Sequence, residues 1–229
     1  MSLYTIADLH LSHGIDKPMD IFKGWQDYEY RLKNNWNKLI TDEDTVVIPG
    51  DISWAMKLSE CYEDFAFLNS LNGKKIIGKG NHDYWWVTKK KLDDFLAENN
   101  FSTISVLFNN AFEVGEYAVC GSRGWYFDSE AEQDKKVLLR EVGRIKTSIE
   151  CGLKLNKTPV VFLHYPPVFN LGECKEIFDL LLEYEIKDCY YGHLHGVNTH
   201  KLATVGEYRG INFHLISSDY LGFVPKLVR

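Results

Sequence analysis

Five short apolar runs in this sequence end directly in carboxylate, amide or imidazole side chains, and this recurrence most constrains the fold. The polar positions after the runs are Asp8, His10, Asp51, Asn81, His82, Asp83, His164, His193 and His195. Each run has the composition and length of a buried strand. Because α/β sheets bind ligands beyond the carboxyl ends of their strands, the five clusters predict one shared site.

Helical patterns alternate with several of these strands. Apolar residues recur at spacings of three and four over residues 25–40, Thr88 caps a second helix that extends to about residue 99, and a charged helical stripe covers residues 130–155. Short strands with a hairpin candidate at residues 115–116 predict antiparallel pairing in the middle of the chain. The alternation indicates an α/β protein with crossover units in a parallel or mixed sheet.

Length and composition are those of a folded globular protein. The chain has 229 residues, of which 45% are hydrophobic and 25% charged, and we expect one domain over residues 1–229. Five scattered cysteines without a CxxC pair fit neither a disulfide framework nor a zinc-thiolate site. The sequence contains no signal-like segment and no apolar run near the roughly 20 residues of a membrane span, so we expect a cytoplasmic protein that does not bind membranes.

The overall charge limits the kind of partner. A formal net charge of -6 offers no basic surface for phosphate backbones, which argues against nucleic-acid binding unless bound metal supplies positive charge. The sequence therefore favours a small-molecule partner over a nucleic acid. It gives no indication of the oligomeric state.

Seven of the strand-end side chains offer oxygen or imidazole ligands and no thiolate. They are Asp8, His10, Asp51, Asn81, His164, His193 and His195. One histidine on an apolar strand is usually a hydrogen-bonded core residue, so the prediction depends on the whole set. Seven ligands are too many for one tetrahedral ion and suit two neighbouring ions that share a carboxylate. Mixed imidazole and carboxylate donors favour manganese, iron or zinc over calcium, without choosing among the three.

The charge of such a centre indicates its substrate. Two divalent ions outweigh the carboxylates of Asp8 and Asp51, so the pocket would attract an anion, and phosphate esters are the obvious class. A water or hydroxide bridging the two metals would attack phosphorus. His82 would then protonate the leaving group, while Asp83 holds its ring and favours the protonated form. The alternative is that His82 is a further metal ligand.

The blocks DLH, GD, GNHD, a lone histidine after an apolar strand, and GHLH resemble, in this order, the calcineurin-like metallophosphoesterases. They span residues 8–195. The resemblance implies a four-layer αββα sandwich in which two mixed β-sheets are flanked by helices. It also implies that His82 is the acid. The implied ligands are Asp8, His10 and His195 for one metal and Asn81, His164 and His193 for the other, with Asp51 as the bridge.

One block departs from the pattern of this family. Many members have a further acidic residue a few places after GD, whereas this chain reads GDISWA with Trp54. The position is not a ligand, so the metal site is unaffected, but the substrate preference of those members does not carry over. The stretches GNHDYWW and GSRGW loosely resemble a bacterial subgroup without a well-defined substrate.

Two further side chains are candidates for substrate contacts. Arg123 follows a strand in a glycine-flanked loop and could form a bidentate clamp on a phosphate, although a structural arginine fits the pattern equally well. His13 lies close to the first cluster, where a solvated loop histidine is the alternative.

The sequence thus predicts a metal-dependent phosphoric ester hydrolase that acts on a small or exposed phosphate ester, with monoester and diester both open. A nuclease of the same fold is one alternative, against which the acidic charge and the lack of a recognisable nucleic-acid domain count. A noncatalytic protein-binding scaffold is the other. A scaffold would have no need to keep all seven ligand candidates together with His82.

Overall fold

The computed structural model describes residues 1–125, 132–170 and 172–228. The strands are β1 Leu3–Thr5, β2 Thr45–Pro49, β3 Lys74–Gly78, β4 Ile104–Val106, β5 Phe112–Val114, β6 Tyr117–Ser122, β7 Thr158–Leu163, β8 Val168–Phe169, β9 Gly172–Glu173, β10 Asp188–Tyr191, β11 Gly206–Tyr208, β12 Ile211–Leu215 and β13 Lys226–Leu227. The helices are α1 Tyr28–Leu39, α2 Tyr62–Ser70, α3 Lys89–Glu98, α4 Glu132–Leu153, α5 Lys175–Glu183 and α6 Val197–His200. None of the described helices has both the length and the apolar character needed to cross a bilayer.

The strands form two mixed sheets and one small ribbon. The first sheet has the order β13-β1-β2-β3-β4 and is parallel except for β13. The second has the order β11-β12-β10-β7-β6-β5 and is parallel except for its edge strands β11 and β5. Strands β8 and β9 pair with each other. Two mixed sheets flanked by helices confirm the predicted fold.

The inner strands are buried on both faces. On β2, Val46 and Ile48 belong to the core formed with α1, α2 and α3, whereas Val47 packs between the two sheets. On β7, Val161 packs with α4 and α5, and Phe162 packs between the sheets. Strands covered on both sides need apolar residues at every position, which explains why the sequence shows unbroken runs here. The resulting layers are helix, sheet, sheet and helix.

Several local predictions are confirmed. The Thr88 side chain accepts a hydrogen bond from the backbone N–H of Lys91 at the start of α3. The hairpin pairs Val114 with Tyr117 across the predicted turn. Helix α4 runs through Gly143 without a break, and the first residues of the predicted helix, 130 and 131, lie outside the described part of the chain.

Strand β4 corrects the prediction of antiparallel pairing in the middle of the chain. It lies parallel to β3, with Ser105 opposite Ile76, and forms an edge of the first sheet. Helix α3 between the two strands makes the crossover that parallel pairing needs. The antiparallel hairpin of β5 and β6 belongs to the second sheet, and nothing local in the sequence marks this change of sheet.

Candidate metal centre

The seven predicted ligand residues converge at the carboxyl ends of parallel strands from both sheets. Asp8 and His10 follow β1, Asp51 follows β2, and Asn81 follows β3, all in the first sheet. His164 follows β7, and His193 and His195 follow β10, in the second sheet. The shared site predicted from the sequence therefore lies where the two sheets meet.

One group of donors consists of Asp8, His10 and His195. The Nε2 atoms of the two histidines are 3.1 Å apart, and His195 Nε2 lies 3.9 Å from Asp8 Oδ1. One ligand atom from each of the three residues falls within 4.8 Å of the others. Asp8 and His10 are buried, whereas the His195 side chain is 31% exposed, so this group is reached from solvent on the His195 side.

The second group consists of Asn81, His164 and His193, with Asp51 between the groups. Asn81 Oδ1 lies 2.6 Å from His164 Nε2 and 2.9 Å from His193 Nδ1. Asp51 Oδ2 is 3.5 Å from His164 Nε2 and 3.9 Å from His10 Nε2 of the first group. The Asp51 carboxylate thus approaches one imidazole from each group.

Four of these residues have left-handed backbone conformations. The φ angles are 60° at Asp8, 48° at His10, 51° at Asp51 and 71° at His193. Residues other than glycine adopt this region only when their surroundings compensate the strain, and such residues cluster at functional sites. The turns that begin at the strand ends therefore aim their side chains into the site at a cost in backbone energy.

Two glycines allow the site carboxylates to approach the backbone closely. A methyl group on Gly80 would overlap the Asp51 carboxylate, and one on Gly192 would overlap the Asp8 carboxylate and lie 2.7 Å from Ala7 Cβ. The Asp8 carboxylate also accepts the backbone N–H of His193, at 3.0 Å from Oδ2. Both glycines precede a proposed ligand, so the need for close approach explains the glycine in the blocks GNHD and GHLH.

Burial dominates the electrostatics of the carboxylates in the metal-free chain. It raises the pKa of Asp8 to about 6, partly offset by the nearby His195. Burial raises the pKa of Asp51 well above its usual value, with Asp83 and Asp8 adding repulsion. A buried negative charge without a counter-charge is costly, and cations bound between these groups would remove that cost.

Burial keeps three of the four donor imidazoles neutral. It lowers the pKa of His10 and of His164 well below the usual value, and lowers that of His193 to about 4, with neighbouring histidines adding repulsion in each case. Neutral imidazole is the form that binds metals. The Nδ1 atoms of His10 and His164 are buried and have no hydrogen-bond partner among the described residues.

His195 is the exception among the donor imidazoles. Burial acts to lower its pKa, but the hydrogen bond with Asp219 and the charge of Asp8 raise that pKa overall. Carboxylates, an amide oxygen and imidazoles at these distances suit metal binding.

Asp83 does not hold the ring of His82, which differs from the prediction. Its buried carboxylate accepts the backbone N–H groups of Gly80 at 2.7 Å and of Asp51 and Ile52 at 2.9 Å each, and the indole N–H of Trp85. These N–H donors lie in the turns after β2 and β3, and a buried carboxylate is satisfied best by several of them. Asp83 therefore joins the loops after β2 and β3 and positions the residues around Asp51.

His82 lies beside the two groups of donors. Its backbone N–H donates to Asp51 Oδ1 over 2.8 Å, and its ring centroid is 4.4 Å from that of Trp54 and 5.7 Å from that of His10. Burial lowers the pKa of His82, and Lys17 and His195 lower it further. The surroundings of His82 therefore favour its neutral form, whereas the protonated form was predicted. Its Nδ1 atom has no hydrogen-bond partner in the described chain.

Asp219 also belongs to this site, although it is not among the site residues predicted from the sequence. Its Oδ1 lies 2.9 Å from His195 Nδ1, and its Oδ2 accepts the backbone N–H of Gly196 over 2.8 Å. A carboxylate that binds the far nitrogen of a ligand histidine fixes the ring and raises its basicity. The segment ISSD directly follows β12, which pairs in parallel with β10, so the same strand-end pattern could have identified it.

The two candidates for substrate contacts have protein partners of their own. The Arg123 guanidinium lies 3.9 Å from the buried carboxylate of Glu141 and 4.9 Å from the ring centroid of Trp125, and its backbone carbonyl accepts the N–H of His164 over 3.0 Å. His13 Nε2 lies 3.6 Å from Glu29 Oε2, and its ring packs on Phe67. Substrate contacts for Arg123 and His13 stay predictions.

Comparisons with known proteins identify a matching family and several similar folds. The sequence profile described as calcineurin-like phosphoesterase matches residues 1–197. A protein of unknown function, AQ665 from Aquifex aeolicus, is similar in structure with a TM-score of 0.53 at 18% identity, covering 99% of this chain and 95% of that one. The phosphopantetheinyl hydrolase PptH from Mycobacterium tuberculosis gives a TM-score of 0.53 at 13% identity with the same two coverages. TT1561 from Thermus thermophilus gives 0.55 at 12% identity, covering 84% of this chain and 81% of that one.

The fold and the donors at the strand ends are those expected of a metal-binding phosphoesterase. The chain belongs to the calcineurin-like phosphoesterase family, because the profile of that family covers most of its length. Members of the family typically use two metal ions, and the Asp and His groups found here are positioned to hold metal. The three structural likenesses, all below 25% identity, show the shared fold alone. A search of curated protein sequences gives no match.

Proposed function

We propose that this protein hydrolyses a small-molecule phosphate ester with a pair of bound metal ions. The observation that carries the proposal is the convergence of seven oxygen and imidazole donors from five loops. The family supplies the reaction class. Two divalent ions would outweigh the buried carboxylates and make the pocket attractive to an anion.

The proposed ligands divide into two sets that share Asp51. One ion would take Asp8, His10 and His195, and the other Asn81, His164 and His193. The close approach of Asp8, His10 and His195 supports the first set, and the distances from Asn81 to His164 and His193 support the second. The Asp51 carboxylate lies within 4 Å of one imidazole from each set, and Asp8 Oδ1 also lies 3.6 Å from His164 Nδ1, so both carboxylates lie between the two sets. Manganese, iron and zinc all suit these donors. Asp219 would position His195, and Asp83 would position the loop of Asp51.

When bound, such a metal pair lowers the pKa of a bridging water and neutralises charge on the phosphoryl oxygens. His82 would deliver the proton that the leaving-group oxygen needs. Its backbone contact with Asp51 holds it beside the centre, and its ring lines an open cavity in which a leaving group can lie. This placement supports its role as acid rather than as an additional ligand.

Phosphomonoesters and phosphodiesters are both compatible with the site. The alternative functions are a nuclease and a noncatalytic scaffold of the same fold, and the experiment below separates them from the proposal. A single domain over residues 1–229 and a cytoplasmic location stay predictions. The first is supported by the sharing of site residues between both sheets.

The test combines metal analysis with kinetics on one preparation. The metal-free protein is loaded separately with manganese, iron and zinc, bound metal is quantified, and rates are measured on a phosphomonoester, a phosphodiester and single-stranded DNA. We expect about two ions per chain and hydrolysis of at least one small ester. No bound metal and no hydrolysis under any condition would favour the scaffold, and preferential cleavage of DNA would favour the nuclease.

A matched pair of variants connects the activity to the site. Asp51→Asn should lower the metal content, and should lower the rate by at least about 1,000-fold, because the shared carboxylate is lost. His214→Asn removes a histidine whose Nε2 binds Asp188 over 3.0 Å outside the donor set, and should leave both unchanged. Equal rates for the two variants would contradict the assignment.

A further inference from the structure

We propose that the substrate is a phosphate ester whose leaving group is an uncharged aromatic alcohol, and that a cavity around Trp54 binds this group. The inference rests on the proposed function and names its substrate class. The cavity has a volume of about 450 Å³, in the range of small-molecule sites. His10, His82 and His195 form part of its wall, so it opens directly onto the candidate metal centre.

The cavity lies on the side of the centre where a leaving group is expected. The proposed acid has to reach the leaving-group oxygen, and the ring of His82 both lines this cavity and lies 4.4 Å from the Trp54 ring, measured between centroids. If the phosphate of an ester lies at the metal ligands and its leaving-group oxygen lies beside His82, the alcohol group therefore extends past Trp54.

The remaining wall is mainly apolar and already formed. Trp25 and Met19 are buried, Phe22 stands at the rim with 52% exposure, and Trp54 donates its indole N–H to Met19 Sδ over 3.3 Å. Trp25 packs edge-on against His195 with centroids 5.7 Å apart. Lys17 and His10 cover the faces of Trp54, so a substrate ring would contact its edge. Edge contacts with apolar side chains that are already fixed carry no large ordering cost and favour an aromatic group.

The charged groups of the cavity argue against a cationic alcohol. Lys23 lines the wall, and the Lys17 ammonium lies 3.3 Å from the centroid of the Trp54 ring. Asp219 also lines the cavity, but its carboxylate is engaged by His195 and Gly196. Lys17 already occupies the cation–π position on Trp54, so an ammonium on the substrate would meet repulsion instead of attraction.

The kinetic test compares esters that differ in the alcohol alone. With the metal-loaded enzyme, kcat and KM are measured for 2-phenylethyl, ethyl and 2-aminoethyl phosphates, all of which release primary alcohols. The methyl diesters of the three are measured as well, with the released alcohol identified because either ester bond can break. We expect kcat/KM to be about 10- to 100-fold higher for the phenylethyl ester than for the ethyl ester, mainly through KM, and lowest for the aminoethyl ester. Equal values for phenylethyl and ethyl esters would overturn the inference while leaving the hydrolase proposal intact.

Binding of inert analogues tests the cavity without turnover. The dissociation constants of 3-phenylpropylphosphonate and propylphosphonate are measured by calorimetry on the metal-loaded protein, and we expect the first to be about 10- to 100-fold lower. This measurement decides the inference even if no ester is hydrolysed, in which case the hydrolase proposal fails separately. Equal dissociation constants would overturn the inference.

Two neighbouring apolar residues form a matched control. Phe22 lines the cavity, whereas Ile21 is 74% exposed and does not line it. Phe22→Ala should reduce the preference for the phenyl compound about threefold or more, and Ile21→Ala should leave it unchanged. Trp54→Ala should abolish the preference and Trp54→Phe should keep part of it, with metal content measured because Trp54 stacks on His10. Equal effects of the Phe22 and Ile21 changes would contradict the location.

Discussion

Asp219 binds the Nδ1 atom of His195 over 2.9 Å and, through its other oxygen, the backbone N–H of Gly196. His195 thereby turns its Nε2 atom toward His10 and Asp8. Burial would raise the pKa of Asp219, but the hydrogen bond and charge of His195 lower it overall, so the carboxylate stays ionised. This pair links the loop after β12 to the candidate metal centre.

Replacement of Asp219 should weaken metal binding without unfolding the protein. We expect Asp219→Asn to lower the affinity for one ion about 10- to 100-fold, because the His195 ring loses its orientation and basicity. Asp188→Asn is the control, since Asp188 forms the same kind of contact with His214 away from the donors. Competition titration with a chelator measures both, and equal affinities would refute the positioning role.

Replacement of His82 should separate catalysis from metal binding. His82→Asn should keep the metal content and lower turnover of an alkyl phosphate about 100- to 10,000-fold, the usual span for loss of an acid. A p-nitrophenyl ester releases a weakly basic anion that needs no proton, so its turnover should fall much less. Unchanged alkyl turnover, or loss of metal from the variant, would exclude the role of acid.

Substitution of Gly192 should damage the centre through the backbone. Gly192→Ala would force its new methyl group against the Asp8 carboxylate and Ala7, and we expect about 1 to 3 kcal/mol of destabilisation together with weaker metal binding. Gly143 in α4 has open space around it, so Gly143→Ala should stabilise the protein by about 0.5 to 1 kcal/mol. Thermal melts with and without metal would distinguish the two, and a harmless Gly192→Ala would contradict the close approach.

Asp44 should make stability depend on pH in the acid range. Burial works against its charged form, but hydrogen bonds from Thr41 and from the Ser2 backbone lower the pKa overall. A folded-state pKa below the usual value near 4 gives stability that is complete above about pH 5 and is lost as the pH falls below about 4 and through the lower folded-state pKa. Asp44→Asn should therefore cost about 1 to 2 kcal/mol at pH 7 and less at pH 3.

Urea unfolding of Asp44→Asn across this pH range is the measurement. Asp42→Asn provides the control in the same loop, because Asp42 is exposed. A cost for Asp44→Asn that stays constant between pH 7 and pH 3 would show that the carboxylate charge does not contribute.

The seven donors could be predicted from the sequence because each one follows one of five strands. An apolar run that ends in Asp8 or His164 carries its signal within a few residues, and parallel strands bring their carboxyl ends to the same edge. The alternation of strands and helices predicted a parallel or mixed sheet, whereas the four-layer arrangement was implied by the family resemblance. Ligand roles for these donors stay proposals.

Contacts between distant segments were decided by the tertiary structure alone. Asp83 turns away from the adjacent His82 because the N–H groups after β2 satisfy it, and Asp219 reaches His195 from another strand end. The wall around Trp54 is completed by Met19 and Trp25 from an irregular loop. Sequence patterns report the periodicity of single segments, whereas these contacts depend on how segments far apart in the chain pack together.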